Sequence, residues 1–409
     1  HGYMLRERGQ FEQARDALGR ALEFTQATED LHTRALAHRT LGLIGYDRYA
    51  VDDANEHLFE SLRLLREVED RRTSVEVLVD LASVALRAYD REKAQAYAEA
   101  ANTRHEALFG THHARALSVL AVLARQHGRF HKSVALNEWA CRLFEEQKNL
   151  RSLAQTLNNL GVALQNRGDL LESIEVQQRA AQIFEKLERP QSTSVARRNC
   201  STTWLRLGRL EESRRAAEAA IEMETQLGDA LGRCMARWNI SIALGLDGEY
   251  ERAYEITEEI FPILLERERW DVLGYMAAFQ GWLFCERGRL DDARRCFELM
   301  QDFLAGNAPQ RFHVVSCLTL QGRYLRLGGE VQDALAVLAE ARKLASSGGA
   351  AYMVGHIDCE LAALACDMGD RVRAQVLLDR TQRLCEILAC EERSWLGRGV
   401  LEVAGMLSR

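Results

Sequence analysis

The sequence predicts an all-α protein, a right-handed helical-repeat solenoid of about ten helix pairs followed by a terminal helix. Three observations predict this fold: a turn position that recurs about every 40 residues, and two flanking positions that hold only small side chains. A regular internal period of this length is typical of proteins that stack one helix pair on the next. Because each repeat contacts only its neighbours, 409 residues need no division into globular domains.

The turn position holds Gly in eight repeats and Tyr in two, and successive occurrences are 39 to 41 residues apart. The ten residues are Gly9, Tyr49, Tyr89, Gly128, Gly168, Gly208, Gly248, Gly288, Gly329 and Gly369. Glycine adopts left-handed backbone angles without steric cost, which suits the end of a helix. We therefore expect helix A of each repeat to end here and helix B to begin.

Two further positions keep the same register and hold only Gly, Ala or Ser. Seven residues before each turn stand Gly2, Gly42, Ala82, Ala121, Gly161, Ser201, Ser241, Gly281, Gly322 and Ala362. Five residues after it stand Ala14, Ala54, Ala94, Ser133, Ser173, Ser213, Ala253, Ala293, Ala334 and Ala374. Small side chains at fixed places on paired helices predict close approach of the two backbones.

This pattern resembles the tetratricopeptide repeat family, with a small residue in helix A, a turn such as Gly208-Arg209-Leu210, and Ala or Ser early in helix B. The usual period of that family is about 34 residues, so these helices are longer. The longer type is similar to the repeats of Pins/LGN adaptors, kinesin light chains and the sensor arms of large bacterial regulators. The resemblance implies that residues two and three places before the small position of helix A face a concave groove.

The predicted solenoid spans residues 1–390, and residues 391–409 form a terminal segment with a helix from Glu391 to Leu407. This helix has Glu402 where a small residue is expected, and its sequence is apolar for a solvent-facing cap. Two interpretations remain open. The helix caps repeat ten, or the chain is a piece of a longer protein and the helix leads into another domain.

Composition and motifs exclude several classes of function. The net charge of -7 argues against direct nucleic-acid binding, and no apolar run is long enough to cross a membrane. The 10 Cys include no C-x-x-C pair, which indicates reduced thiols in a cytoplasmic protein. No hydrolase, kinase, P-loop or metalloprotease motif is present, and the histidines match no zinc spacing. We expect no enzymatic activity, no cofactor and no bound metal.

Three asparagines recur at the repeat period on the implied inner face: Asn159, Asn199 and Asn239. An amide side chain both donates and accepts hydrogen bonds, so such a ladder can bind the backbone of an extended peptide. Asn158 adds a further amide beside it. In the alternative interpretation, these asparagines bond the adjacent helix and hold the repeats in register.

Arginines occupy neighbouring groove positions, at Arg115, Arg125, Arg198 and Arg206. Because guanidinium groups bind carboxylates in a bidentate fork, the middle of the groove should prefer an acidic segment. Alternatively, the arginines are solvated or are paired with acids on the neighbouring helix.

Four aromatic residues also map to inner-face positions: Trp238, Tyr275, Phe279 and Trp282. On a concave surface they would make an anchor pocket, since Trp and Tyr dominate interface energetics. They are equally consistent with core packing between adjacent repeats.

The sequence thus predicts a non-enzymatic scaffold for protein–protein interaction that binds an extended, acidic and partly apolar peptide in its groove, within a larger regulatory or signalling protein. The second hypothesis is a ligand-sensing regulatory domain of a transcription regulator or signalling enzyme. In that case a small effector, or another domain of the same chain, would occupy the groove.

Overall fold

The computed structural model describes residues 1–7, 10–305 and 311–409. Within these ranges every regular element is a helix, and there are 21. The predicted turn residue Gly9 and the expected connection at residues 307–309 lie outside the described residues.

The helices follow one another at short intervals, and their bounds are as follows. They are α1 (Gly2–Glu7), α2 (Phe11–Thr28), α3 (Leu31–Asp47), α4 (Val51–Glu67), α5 (Arg71–Arg87), α6 (Arg91–Phe109), α7 (Ala114–Gln126), α8 (Phe130–Glu146), α9 (Leu150–Arg167), α10 (Leu170–Lys186), α11 (Pro190–Leu207), α12 (Leu210–Gln226), α13 (Ala230–Leu246), α14 (Tyr250–Glu266), α15 (Trp270–Glu286), α16 (Leu290–Ala305), α17 (Arg311–Leu327), α18 (Val331–Ser346), α19 (Ala351–Asp367), α20 (Arg371–Leu388) and α21 (Trp395–Leu407).

The predicted repeat of helix pairs is confirmed. Odd-numbered helices from α1 to α19 are the helices A, even-numbered helices from α2 to α20 are the helices B, and α21 follows as the terminal helix. The described turn residues adopt left-handed backbone angles, with φ of 115° at Gly168 and 85° at Gly208. Tyr49 and Tyr89 take the same conformation, with φ of 61° and 60°, although a side chain makes it less favourable than for glycine.

The two small positions face each other between helices A and B. All ten residues of the position after the turn are fully buried, with no exposed surface. A Cβ atom added to Gly161 would lie 2.3 Å from Cγ of Gln177, so the helices are too close for a larger side chain. Where serine replaces alanine its hydroxyl is satisfied, as Ser173 donates to the carbonyl oxygen of Gly161 at 2.8 Å.

The chain divides into two compact units. The first contains residues 1–123 and 136–147, and the second contains residues 124–135 and 148–409. In the first unit, Leu58, Leu64 and Leu65 of α4 form a dry core with Val77 and Leu81 of α5. No helix in the described part of either unit has the length and apolarity needed to cross a membrane.

The second unit contains a large core that includes residues from α11 to α19. Its last residues pack back onto much earlier turns of the same unit. The backbone N–H of Glu391 donates to the carbonyl oxygen of Leu207 at 2.7 Å. A Cβ atom on Gly208 would lie only 2.6 Å from the backbone nitrogen of Ser394. Residues 391–394 therefore close over the end of α11.

The terminal helix begins at Trp395, four residues later than the sequence indicates, because the Ser394 hydroxyl caps it by accepting from the N–H of Gly397 at 2.9 Å. Its buried Val403 packs with Ala362 of α19 and Leu378 of α20. Glu402, the residue that breaks the repeat pattern, contacts Arg323 and Arg326 of α17. We propose that residues 391–409 form a separate terminal segment of the solenoid.

Candidate functional site

The second unit contains a cavity of about 370 Å³. Its walls come from the helices A of five consecutive repeats, α11, α13, α15, α17 and α19, together with the start of α21. The residues at the cavity surface include Asn199, Thr202, Arg206, Met235, Trp238, Asn239, Arg269, Tyr275, Phe312, His313, Ser316, Tyr352, Met353, His356 and Trp395. We call this space the central cavity.

Five of the residues proposed from the sequence meet at the central cavity: Asn199, Arg206, Trp238, Asn239 and Tyr275. They do so because the 40-residue period returns the same face of each helix A to the same side of the stack. Four other proposed residues of the second unit do not line the cavity: Arg125, Asn158, Asn159 and Arg198. Arg115 belongs to the first unit.

The asparagine amides bond the preceding helix A. Nδ2 of Asn199 donates to Oδ1 of Asn158 at 3.0 Å. Nδ2 of Asn239 donates to the carbonyl oxygen of Arg198 and to Oγ1 of Thr202, both at 3.1 Å. These contacts favour the interpretation in which the asparagines bond the adjacent helix and hold the repeats in register. The side-chain oxygens of Asn199 and Asn239 accept no hydrogen bond from the described residues, and an amide oxygen has two lone pairs to offer a ligand.

Arg206 lies at the cavity surface, and no described carboxylate pairs with it. One guanidinium nitrogen donates to the carbonyl oxygen of Gln165 at 2.6 Å, and the other reaches Oδ1 of Asn166 at 3.4 Å. Its guanidinium carbon lies 4.6 Å from the ring centre of Phe312 and 5.6 Å from that of Tyr352. Burial lowers the pKa of Arg206 to about 10, so the side chain stays charged at neutral pH.

Arg115 and Arg198 are paired with acids, which favours the structural interpretation for these two positions. Arg115 contacts Asp80 at 2.6 Å and Glu76 at 3.0 Å, both on α5. Arg198 forms an ion pair with the buried Glu224 of α12. Arg125 has its pKa lowered by burial. The acidic preference predicted for the groove therefore rests on Arg206.

The four proposed aromatic residues separate into two layers. Trp238 and Tyr275 lie at the cavity surface, with ring centres 5.7 Å apart. Phe279 is fully buried and packs edge-on against Trp238 at 5.0 Å. Trp282 is also buried, 4.4 Å from the ring of Trp395. Phe279 and Trp282 are thus core residues that support the cavity wall.

Several cavity residues were not identified from the sequence: Phe312 on α17, Tyr352 and His356 on α19, and Trp395 on α21. The single sequence contains no signal that α19 and α21 lie against α11, since Arg206 and Trp395 are far apart along the chain. The apolar character of the last helix is the one feature that marked it as packed against something.

The hydroxyl of Tyr352 is buried and has no hydrogen-bond partner among the described residues. Tyr352 as a whole is 5% exposed, and burial raises its pKa well above the usual value. Burial likewise raises the pKa of Tyr275 to about 12. Both phenols are therefore neutral at physiological pH, and the Tyr352 hydroxyl is the one that lacks a described partner. A buried polar group of this kind is usually satisfied by a ligand or by water.

His356 gives a prediction about pH. Burial, with a contribution from the charge of Arg323, lowers its pKa from the usual 6.5 to about 4. The unfolded chain binds the proton more tightly, so the stability that neutral His356 provides is complete above pH 6.5 and is lost as the pH falls toward 4. Thermal unfolding midpoints of His356→Gln should fall less than those of the parent between pH 6.5 and 4. The variant His131→Gln, at an exposed position, is the control. If the unfolding midpoints of the parent and of His356→Gln fell equally with pH, the lowered pKa of His356 would be contradicted.

No group of His, Cys, Asp and Glu side chains in the described part of the chain has an arrangement suited to a metal ion. His113 instead contacts Glu76 of α5 at 2.9 Å. The cysteines of the described residues form no disulfide, and burial raises the pKa of several thiols, including those of Cys200 and Cys285 to about 12. Such thiols are protonated at neutral pH and are poor nucleophiles.

Residues 152–226 match the tetratricopeptide repeat family. This match, together with the stacked helix pairs, supports the resemblance to tetratricopeptide repeats that the sequence implies. No curated protein matches the sequence.

Solved structures share the fold at low sequence identity. A Rap protein in complex with competence and sporulation factor is 13% identical, with a TM-score of 0.69, over 87% of this chain and 99% of that one. The Rap conjugation gene regulator of plasmid pLS20 in complex with the Phr* peptide is 14% identical, with a TM-score of 0.59, over 81% and 94%. NprR in complex with its cognate peptide NprX is 11% identical, with a TM-score of 0.54, over 81% and 96%. At these identities the likeness concerns the fold alone.

Proposed function

We propose that this protein is a non-enzymatic regulatory scaffold that binds a peptide in the central cavity. The observation that carries the proposal is the meeting of amide, guanidinium and aromatic side chains of consecutive repeats around one cavity. A volume of about 370 Å³ falls within the range of about 300–1,000 Å³ typical of ligand pockets. Aromatic walls with a few fixed polar groups are the usual lining of such pockets.

The proposed ligand is partly apolar and acidic. Trp238, Tyr275 and Phe312 offer apolar contact, and Arg206 offers a positive charge without a described acidic partner. The amide oxygens of Asn199 and Asn239 can accept hydrogen bonds from peptide N–H groups. Asn159 lies outside the cavity surface, so the bound segment is shorter than the three-repeat ladder suggested by the sequence. The peptide or peptide factor named with each of the three similar structures supports this class of ligand.

A substitution that fills the cavity tests the proposal. Met235 lies at the cavity surface, and a tryptophan in its place would occupy the ligand volume. The parent protein is expected to retain a subset of a random hexapeptide library in affinity selection read by mass spectrometry. Met235→Trp should weaken binding of the retained peptides by at least about tenfold, because the new side chain displaces part of the ligand. A tenfold weakening corresponds to a loss of about 1.4 kcal/mol of binding free energy.

Met368→Trp is the matched control, because Met368 is 49% exposed on the turn after α19. It should bind the same peptides as the parent. Equal binding by Met235→Trp would place the peptide site elsewhere, and a library from which nothing is retained would contradict peptide binding.

The second candidate function is the sensing of a small effector by a regulatory domain. The observation that favours it is the limited volume of the cavity together with the closing of residues 391–395 over one side. A thermal-shift screen of small carboxylic acids separates the two functions. Stabilisation of the parent by such an acid, without retention of any peptide, would support the effector.

A further inference from the structure

Helix α20 of the second unit differs from the other helices B on its solvent-exposed face. Val372, Val376 and Ile387 lie together on this face and are between 63% and 78% exposed. They stand three, seven and eighteen residues after the turn at Gly369. At the same three places, the other helices B carry a single aliphatic residue larger than alanine, Leu171 of α10. The repeat pattern therefore does not account for the apolar stripe on α20.

The same face of α20 is basic, although the chain as a whole has a net charge of -7. Arg373, Arg380 and Arg383 are all exposed there. Two of the three equivalent places on α18 hold acids instead, Asp333 and Glu340. A helix face that only meets water gains nothing from large aliphatic side chains. A face that is both aliphatic and basic indicates a surface for contact with a partner.

The stripe borders a groove between α18 and α20. Two adjoining hollows form this groove, and both are lined by Ser346 and Val376. Aliphatic side chains of three helices line it, including Leu335 of α18, Val354 of α19 and Leu384 of α20. Its charged lining residues are five bases and one acid: Arg342 and Lys343 on α18, and Arg373, Asp379, Arg380 and Arg383 on α20.

The positive charge of the groove is only partly neutralised. Asp358 of α19 has a side chain that is 1% exposed, and it contacts Arg342 at 2.6 Å and Arg380 at 3.4 Å. One buried carboxylate therefore faces a guanidinium group from each wall. The three other basic residues of the groove have no carboxylate contact among the described residues. The groove thus combines an apolar lining with an excess of positive charge on both walls.

We propose that the groove between α18 and α20 binds an amphipathic helix of a partner protein, with aliphatic residues along one face and carboxylates beside them. The stripe from Val372 to Ile387 runs for about 22 Å, or four helical turns, which matches a partner helix of similar length. Aliphatic anchors spaced by three or four residues are the usual contacts of a helix in a groove. The partner's carboxylates face the basic walls and give the contact its specificity. Neither α18 nor α20 lines the central cavity, so the two sites are separate.

The shape of the groove favours a helix over a lipid surface. Val354 is buried and Leu335 and Leu384 are half-buried, whereas Val376 and Ile387 stand out at the edge. A ridge of side chains from a helix can enter such a groove and contact both sets of residues. A bilayer surface would contact the exposed set alone.

Three fluorescein-labelled peptides of equal length test the proposal. Each carries leucine at positions i, i+4, i+7 and i+11 of a designed helix, and the places beside the leucines hold Glu, Gln or Lys. Fluorescence anisotropy with the full chain should show saturable binding of the Glu peptide. The Gln peptide should bind at least about tenfold more weakly because it lacks several charge contacts, and the Lys peptide more weakly still. Added salt should weaken binding of the Glu peptide, since exposed charges are screened.

Variants at exposed positions link this binding to the groove. Val376→Glu should weaken binding of the Glu peptide by about tenfold or more, because it places a like charge within the apolar stripe. Arg383→Glu should reduce the preference for Glu over Lys by at least about tenfold. Leu171→Glu is the matched control, since Leu171 is the exposed aliphatic residue on the corresponding face of α10, and it should bind as the parent does. Met235→Trp, which fills the central cavity, should also bind the Glu peptide unchanged.

The contrary outcomes are equally defined. Equal affinity for the Glu and Gln peptides would refute the role of charge, and unchanged binding by Val376→Glu would place the contact elsewhere. Loss of binding in Met235→Trp would assign the Glu peptide to the central cavity and refute a separate site. Failure of the parent to bind any of the three peptides would refute the helix groove and leave the central cavity untouched.

Two further measurements separate other occupants of this surface. If the parent binds none of the peptides but cosediments with phosphatidylserine vesicles, and Val376→Glu does not, the face contacts membranes. If sedimentation velocity shows dimers of the parent that Val376→Glu abolishes, a second copy of the chain occupies the groove. Either result would overturn the proposed partner helix.

Discussion

Replacing Arg323 by methionine is expected to lower the free energy of unfolding by about 3–5 kcal/mol, the cost of removing one partner from a buried ion pair. Arg323 lies on α17 with a side chain only 14% exposed. It contacts Glu286 of α15 at 2.8 Å, Glu360 of α19 at 3.1 Å and Glu402 of α21 at 2.6 Å. Methionine would leave Glu360 and Glu402 to share the guanidinium of Arg326, and Glu286 with only that of Arg398.

Chemical denaturation followed by circular dichroism measures this loss. Arg63→Met is the control, because Arg63 bridges Glu60 and Glu67 on the solvent-exposed face of α4 and its side chain is 54% exposed. Exposed pairs of this kind contribute about 0–1 kcal/mol, so the control should unfold close to the parent. If Arg323→Met also unfolds at the parent's midpoint, the four-helix contact carries no net stability.

Replacing Gly161 by leucine is the second substitution with a large expected effect. The added Cβ would overlap Cγ of Gln177, a side chain with no exposed surface, so helices α9 and α10 would have to separate. Overpacking of this type costs about 1–3 kcal/mol or more. The same denaturation measurement should show a reduced midpoint.

Gly405→Ala provides the comparison for this prediction. Gly405 lies inside α21, and an added Cβ would meet no other atom within 4 Å. Alanine there should raise stability by about 0.5–1 kcal/mol, because glycine is the poorer helix former. A leucine at position 161 without effect on the midpoint would mean that the small positions do not set the distance between helices A and B.

The fold was predictable from the sequence because each repeat carries its own local signals. A left-handed turn favours glycine at Gly168 or Gly208 whatever surrounds it, and a close helix crossing tolerates only Gly, Ala or Ser. Ten copies of the same signals fix the helix pairs and their register. The start of α21 was misplaced by four residues because the Ser394 cap follows a turn held by Leu207, a distant residue.

The site was predictable only in part, because its chemistry depends on which residues meet. The period placed Asn199, Asn239 and Arg206 on one face correctly, yet it gave no information on the acids opposite. Arg198 forms an ion pair with Glu224, which lies 26 residues later on the following helix, α12. The repeat positions that define the groove give no indication of this acid. Tyr275 and Phe279 are one helical turn apart on α15, and only Tyr275 reaches the cavity.

The return of residues 391–398 onto α11 and α13 also has a consequence for the order of events during synthesis. Most contacts of a repeat protein join neighbouring repeats, so helices can pack soon after they are made. The bond from Cys390 to the carbonyl oxygen of Arg206 spans 184 residues. A ribosome adding about 5–20 residues per second needs roughly 10–40 s to bridge that interval. During this time the repeats around Arg206 can already be stacked, but the cavity still lacks the wall that Trp395 of α21 provides. We therefore expect the proposed ligand to bind only after α21 has docked.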